Sequence, residues 1–181
     1  MPCVAKCFWN RKTSRDYSLK WDHGIRFMAS LDRIQDFLAQ KRFAFVGVSR
    51  QPKDFSRALF REFRERGYDP IPVHLATTEI DGVPCFRTLQ AIDPPVDSVL
   101  LMTPPAITEL LLQDCAEAGI KRVWMYRAGG AGAVSAQAVK YCEDRGIAVI
   151  PGECPFMFFG GGVSVHWFHA VFLKITGKYP N

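Results

Sequence analysis

No apolar run in this 181-residue chain approaches the ~20 residues that a membrane-spanning helix requires, so the sequence offers no bilayer segment. An excess of charge of one sign is nearly absent outside the first 27 residues. There Lys6, Arg11, Lys12, Arg15, Lys20 and Arg26 outnumber Asp16 and Asp22 by four, out of a net charge of +5. The remaining body is close to neutral, which excludes a general polyanion surface and with it a nucleic-acid partner. Paired cysteine clusters are missing too. Cys85, Cys115, Cys142 and Cys154 are scattered, and Cys3 and Cys7 have no second pair nearby, so neither a disulfide framework nor a zinc site is expected. That usage implies reduced thiols and a cytoplasmic protein. There is no P-loop, no paired-carboxylate spacing and no Ser-His-Asp arrangement. His166 and His169 are three apart on an expected C-terminal helix but have no third ligand, so no metal is expected.

What is present is alternation. Residues 43–48 form a short apolar run of buried-strand character, broken at Gly47. A polar loop with Pro52 leads to a helix starting near Ser56, in which Phe55, Leu59, Phe60 and Phe63 share a face while Arg57, Arg61, Arg64 and Glu65 are expected in water. Further strands are predicted at 70–74, 96–102, 121–126 and 147–150, with helices at about 105–118 and 135–145 between the later ones. Residues 76–86 read as a loop containing Asp81-Gly82. The pattern predicts an α/β fold, a doubly wound parallel sheet of about five strands in the order 3-2-1-4-5, in three αβα layers. Met28-Ala29-Ser30-Leu31 reads as a second beginning, so residues 1–27 are expected to be an N-terminal extension and 28–181 a single domain with a C-terminal helix.

In such a sheet the ligand lies beyond the strand C-terminal ends, which collects the loops 47–56, 74–78, 103–105, 126–132 and 151–155. A strand, a glycine turn and a helix N-terminus converge at Gly47, Val48 and Ser49, a ready anion site, and Arg50, Lys53 and Arg57 surround it with positive charge. A nucleotide or phosphorylated cofactor is the expected ligand. The alternative is only the first turn of a doubly wound sheet, without a ligand. An NAD(P)-dependent oxidoreductase is the enzyme-class alternative. It is disfavoured because Gly47 is the only glycine of the three in G-x-G-x-x-G, Ser49 occupies the second place, and the next strand ends at His74 without an acidic residue.

The segments FVGVS (45–49), PVH (72–74), EIDGVPCF (79–86), VDSVLLMTPP (96–105), RVWMYRAGG (122–130) and GECP (152–155), in this order, resemble the CoA-binding domain family. This is the Rossmann-like module also found at the N-terminus of succinyl-CoA ligase alpha subunits. The resemblance covers about 31–155 and implies coenzyme A as cofactor. It places the diphosphate near Gly47, Val48 and Ser49 and the helix at Ser56, with Lys53 and either Arg50 or Arg57 on phosphate charge, the 3′-phosphate included. Thr103, Pro104 and Pro105 would pack on the cofactor, and the Gly129 turn would admit the pantetheine arm. His74 stands where relatives carry asparagine and Arg127 where they often carry glutamine. The ligase's phosphohistidine domain has no counterpart here, so the implied role is a small, non-catalytic CoA- or acyl-CoA-binding or regulatory module. Cys154, after the fifth strand, is the residue on which a thiol-redox or acyl-carrying alternative would rest. A homodimer or another protein partner is left open.

Overall fold

The computed structural model describes residues 30–127 and 132–159. The expected extension at 1–27, Gly129 and the C-terminal helix lie outside the described residues. Among the described residues no helix is long and apolar enough to cross a membrane.

Helix α1 (Leu31–Ala39) precedes strand β1 (Arg42–Val46), and helix α2 (Phe55–Glu65) leads to β2 (Asp69–Val73). A two-stranded hairpin follows, β3 (Glu79–Ile80) and β4 (Val83–Pro84), then a 3-10 turn at Leu89–Ala91. The chain continues through β5 (Ser98–Leu101), α3 (Pro105–Glu117), β6 (Arg122–Met125), α4 (Ala136–Asp144) and β7 (Ala148–Pro151), to a 3-10 turn at Pro155–Met157. Asp81 and Gly82 both have positive φ, 49° and 77°, the pairing that a tight Asp-Gly hairpin turn demands. Residues expected to be plain loop are therefore a small antiparallel unit.

Side chains alternate across the sheet with period two. Phe43, Phe45, Leu100, Trp124 and Ile150 pack under α1 and α2, while Ala44, Val46, Val99, Leu101, Val123, Met125 and Val149 pack under α3 and α4. Both faces are covered, as the continuous apolar runs imply. The three-layer αβα architecture and the five parallel strands match the sequence reading.

The place of the third sheet strand differs from the expected order. The sheet runs β2-β1-β5-β6-β7, or 2-1-3-4-5 counted by its own strands, so β5 pairs with β1 instead of lying outside β2. The reason lies in Asp69-Pro70-Ile71-Pro72-Val73. Asp69 donates its N–H to the Lys41 carbonyl at 2.7 Å, so the odd-numbered residues face β1. Pro70 and Pro72 then face outward and bring no N–H, which leaves that edge unable to take a full parallel ladder. Among the described residues only Phe86 pairs with it, donating to the Pro72 carbonyl at 3.0 Å and accepting from His74 N–H at 2.9 Å. The topological switch consequently falls between β1 and β5, and it brings the loop after Gly47 beside the loop after Met102.

Candidate functional site

Gly47 has φ 97°, and a Cβ placed on it would lie 2.5 Å from the Met102 carbonyl oxygen. The turn therefore needs glycine twice, for its conformation and for backbone contact across the switch point. Beyond it, Ser49 N–H donates to Ser56 Oγ at 2.9 Å, and Ser49 Oγ accepts from Gln51 N–H at 3.1 Å while donating to the Asp54 carboxylate. Two serine hydroxyls thus fold the loop onto the start of α2. Phe55 and Ser56, at the first two helical positions, have N–H groups without an intrahelical acceptor. Arg50, Lys53 and Asp54 are exposed around that opening.

Arg57 lies elsewhere than expected. It is buried, not in water, and its Nε and Nη2 engage Asp81 while Nη1 donates to the Ser49 carbonyl at 3.3 Å. Arg61 also grips Asp81 and reaches the Pro52 carbonyl at 3.2 Å. The Asp81 carboxyl is held below the ordinary carboxylate range by its hydrogen bonds to Arg57 and Arg61. Arg57 is thus engaged from beneath the loop by Asp81 and Ser49, while Arg50 and Lys53 stand above it.

His74 follows β2 directly and is half-buried, with Nδ1 accepting from Ala76 N–H at 2.9 Å, which puts the proton of the neutral ring on Nε2. Burial, and secondarily the Arg50 charge, push its pKa down, so the ring is neutral at pH 7. Across the switch point, Thr103 Oγ1 meets the buried Thr108 hydroxyl at 2.9 Å, and Pro104 and Pro105 open α3. An open cavity of about 240 Å³ lies next to them, lined by Met102, Thr103, Tyr126, Gly132 and Ala133. Arg127 is exposed beside it. Phe55 stacks on Tyr126 with ring centroids 5.3 Å apart and planes at 25°, joining the opening of α2 to this cavity. Phe55, Tyr126 and Asp81 were not singled out by the sequence as site residues. Phe55 reads as one more member of an apolar stripe, and only the fold shows its half-exposed ring at the helix opening.

Cys154 is buried, and that burial pushes its thiol up to about 11, against smaller downward pulls from the Phe156 backbone and the Tyr126 hydroxyl. A larger concavity of about 350 Å³ lies at the opposite end of the sheet, lined by Arg42, Val96, Asp97, Gly119 and Lys121 among others. It sits at strand N-termini and helix C-termini, where Gly119 closes α3 and, among the described residues, no long helix opens. Volume alone does not outweigh that geometry.

Comparisons with known proteins bear on the family and the fold. A family model described as a CoA binding domain matches residues 41–159. The chain is 28% identical over 94 residues to the alpha subunit of the ADP-forming acetate–CoA ligase II of Pyrococcus furiosus, a match covering 51% of this chain and 21% of that subunit. The match thus spans about a fifth of that curated relative's length. Among solved structures, a hypothetical protein of Pyrococcus horikoshii superposes with a TM-score of 0.63 at 22% identity, covering 72% of this chain and 94% of that one. A Thermus thermophilus protein gives 0.62 at 22% identity, covering 77% and 97%. The dinucleotide-forming acetyl-coenzyme A synthetase 1 of Ca. Korarchaeum cryptofilum gives 0.54 at 20% identity over 62% of this chain and 25% of that one. At these identities the superpositions establish the fold.

Proposed function

The chain belongs to the CoA binding domain family, and on that premise we propose that it binds CoA or an acyl-CoA across the β1/β5 switch point as a binding module without a reaction of its own. The observation that carries this reading is the Gly47 turn facing the open N-terminus of α2, with Lys53 and Arg50 exposed above it. In this reading the diphosphate lies at Val48, Ser49 and the N–H groups of Phe55 and Ser56, where the helix dipole favours negative charge. Lys53 and Arg50 meet phosphate oxygens, and His74 and the exposed Leu75 border the nucleoside end. The pantetheine arm runs over Thr103, Pro104 and Pro105, with Arg127 beside it, and ends in the cavity by Met102 and Tyr126.

The thiol-redox or acyl-carrying alternative is disfavoured by burial, which raises the Cys154 pKa to about 11 and keeps the thiol protonated at neutral pH. That is poor provision for acyl transfer or disulfide exchange. ADP-forming ligation belongs to the longer relative, and no ligase step is assigned to this chain.

Calorimetric titration with CoA, with ADP, NAD and NADP as competitors, tests the proposal. The expected result is saturable CoA binding at least tenfold tighter than that of NAD, and a Lys53→Ala variant about five- to tenfold weaker at low salt with unchanged thermal stability. Equal or tighter binding of NAD would overturn the cofactor assignment in favour of the oxidoreductase reading.

A further inference from the structure

The loop that carries the proposed phosphate site, residues 47–56, is pinned from below at two carbonyls, and both pins lead to one carboxylate. Arg57 donates to the Ser49 carbonyl and to both oxygens of Asp81. Arg61 donates to the Pro52 carbonyl and to the same two oxygens. Arg64 holds the Asp81 backbone carbonyl at 3.2 Å, fixing the hairpin turn to α2. Ile80, buried in the core beneath α1 and α2, anchors the hairpin from the other side.

Planarity of the peptide bond gives this arrangement a consequence above the loop. In a trans peptide the C=O and the following N–H point in opposite directions. Drawing the Ser49 carbonyl toward the buried Arg57 therefore turns the Arg50 N–H away from the protein. Drawing the Pro52 carbonyl toward Arg61 does the same for the Lys53 N–H. Arg50 and Lys53 are both exposed beside the start of α2, and the pinned carbonyls turn these two donors away from Arg57 and Arg61, which leaves them available to an anion.

We propose that Asp81 is a positioning residue of this site: through Arg57 and Arg61 it sets the peptide orientations at Ser49–Arg50 and Pro52–Lys53 that present backbone donors to phosphate, without itself touching the ligand. Asp81 is needed because a buried guanidinium without its carboxylate is costly and would leave its place. Ser49 would then lose its pin, and the Arg50 peptide would be free to rotate. The ligand consequence rests on the CoA-binding reading above, whereas the loop geometry does not.

Two measurements on the full chain separate these parts. Amide hydrogen exchange at Ser49 and Gln51, whose N–H groups are hydrogen-bonded within the loop, reads the loop without ligand. Asp81→Asn should accelerate exchange there about tenfold or more, while Arg64→Ala, which loosens the hairpin without touching the loop, should leave it near the native rate. Titration with CoA reads the consequence. Asp81→Asn and Arg57→Gln should each weaken binding about tenfold, and the double variant should be no weaker than the worse single one. The salt dependence of binding should stay native in these variants and flatten only in Lys53→Ala, because only the latter removes a cation from the phosphates. Unchanged exchange in Asp81→Asn, or a loss of affinity no greater than that of Arg64→Ala, would overturn the proposal. Failure of the native chain to bind CoA would overturn the binding reading instead, and the exchange measurement would still decide the role of Asp81.

Discussion

Asp54 opens α2 with a carboxylate that accepts the Ser49 hydroxyl instead of capping a helical N–H. Its charge favours the helix dipole by about 0.5 kcal/mol, in the usual range for an exposed acidic residue at a helix start. The same charge opposes a phosphate at the same opening and offsets part of what Arg50 and Lys53 contribute. Unit charges several ångströms apart near a surface interact by about 1 kcal/mol, which corresponds to roughly a fivefold change in affinity. Asp54→Asn, which keeps the acceptor for Ser49, is therefore expected to tighten CoA binding about three- to tenfold in low salt, with the gain shrinking as salt is raised. Titrations at two ionic strengths check this. An unchanged affinity would mean that the phosphates lie away from the opening of α2.

At the scale of elements, β2 decides the topology. The strand Asp69–Val73 places prolines at both outward-facing positions, so the sheet ends there. Replacing Pro70 with valine adds an outward N–H at a buried position of this edge, and is expected to destabilise the chain by about 1–3 kcal/mol through an unpaired donor. Urea denaturation checks it, and an unchanged midpoint would show that the new N–H finds an acceptor or water. The alternation of strands and helices was legible in the sequence, but alternation alone does not order the strands. The signal that does is in β2 itself, where Pro70 and Pro72 alternate with Ile71 and Val73. Proline within a run marks an edge strand, and that argues against the third strand lying outside β2. The Gly47 turn was equally legible, because strand, glycine and helix are adjacent in the chain. The place of Arg57 was not. It lies three residues before Phe60, at the border of the apolar stripe, and periodicity cannot tell which border residue turns inward. Its partner Asp81 is 24 residues away on a hairpin whose docking is set by tertiary contacts. Phe55 on Tyr126 was hidden for the same reason, as two elements distant in sequence meet at the switch point.

The whole molecule carries its titratable groups in a pattern that fixes where stability should fail. Asp36 and Asp81 are held below the ordinary carboxylate range, Asp36 by its hydrogen bond to Arg122 and Asp81 by those to Arg57 and Arg61. A depressed folded value means that their contribution is present above about pH 4 and lost only as pH falls through the folded value. These two carboxylates leave stability flat in neutral and mildly acidic conditions, whereas His74, whose folded value is lowered by burial, withdraws stability as pH falls below about 6.5. The alkaline side differs. Cys115 on α3 and Cys142 on α4 are both fully buried in the layer under these helices, and that burial pushes each thiol up to about 12. For an acid whose folded value is raised, stability is complete below the unfolded value, about 8.5 for a free thiol, and declines as pH rises toward the folded one. In the unfolded chain these thiols ionise in that interval, and in the folded chain they stay protonated. Each should remove about 1.4 kcal/mol per pH unit over it. Urea denaturation is thus expected to give a constant midpoint from about pH 7 to 8, a modest fall below about pH 6.5 from His74, and a steep decline above about pH 9. Lysines and tyrosines also titrate in that range, so the diagnostic comparison is a Cys115→Ala, Cys142→Ala chain. It should start less stable, because two buried sulfurs leave small voids, yet lose stability more slowly with rising pH. Parallel alkaline limbs in the two chains would show that the thiols do not carry the effect, and that the packing of α3 against α4 admits water well before the molecule unfolds.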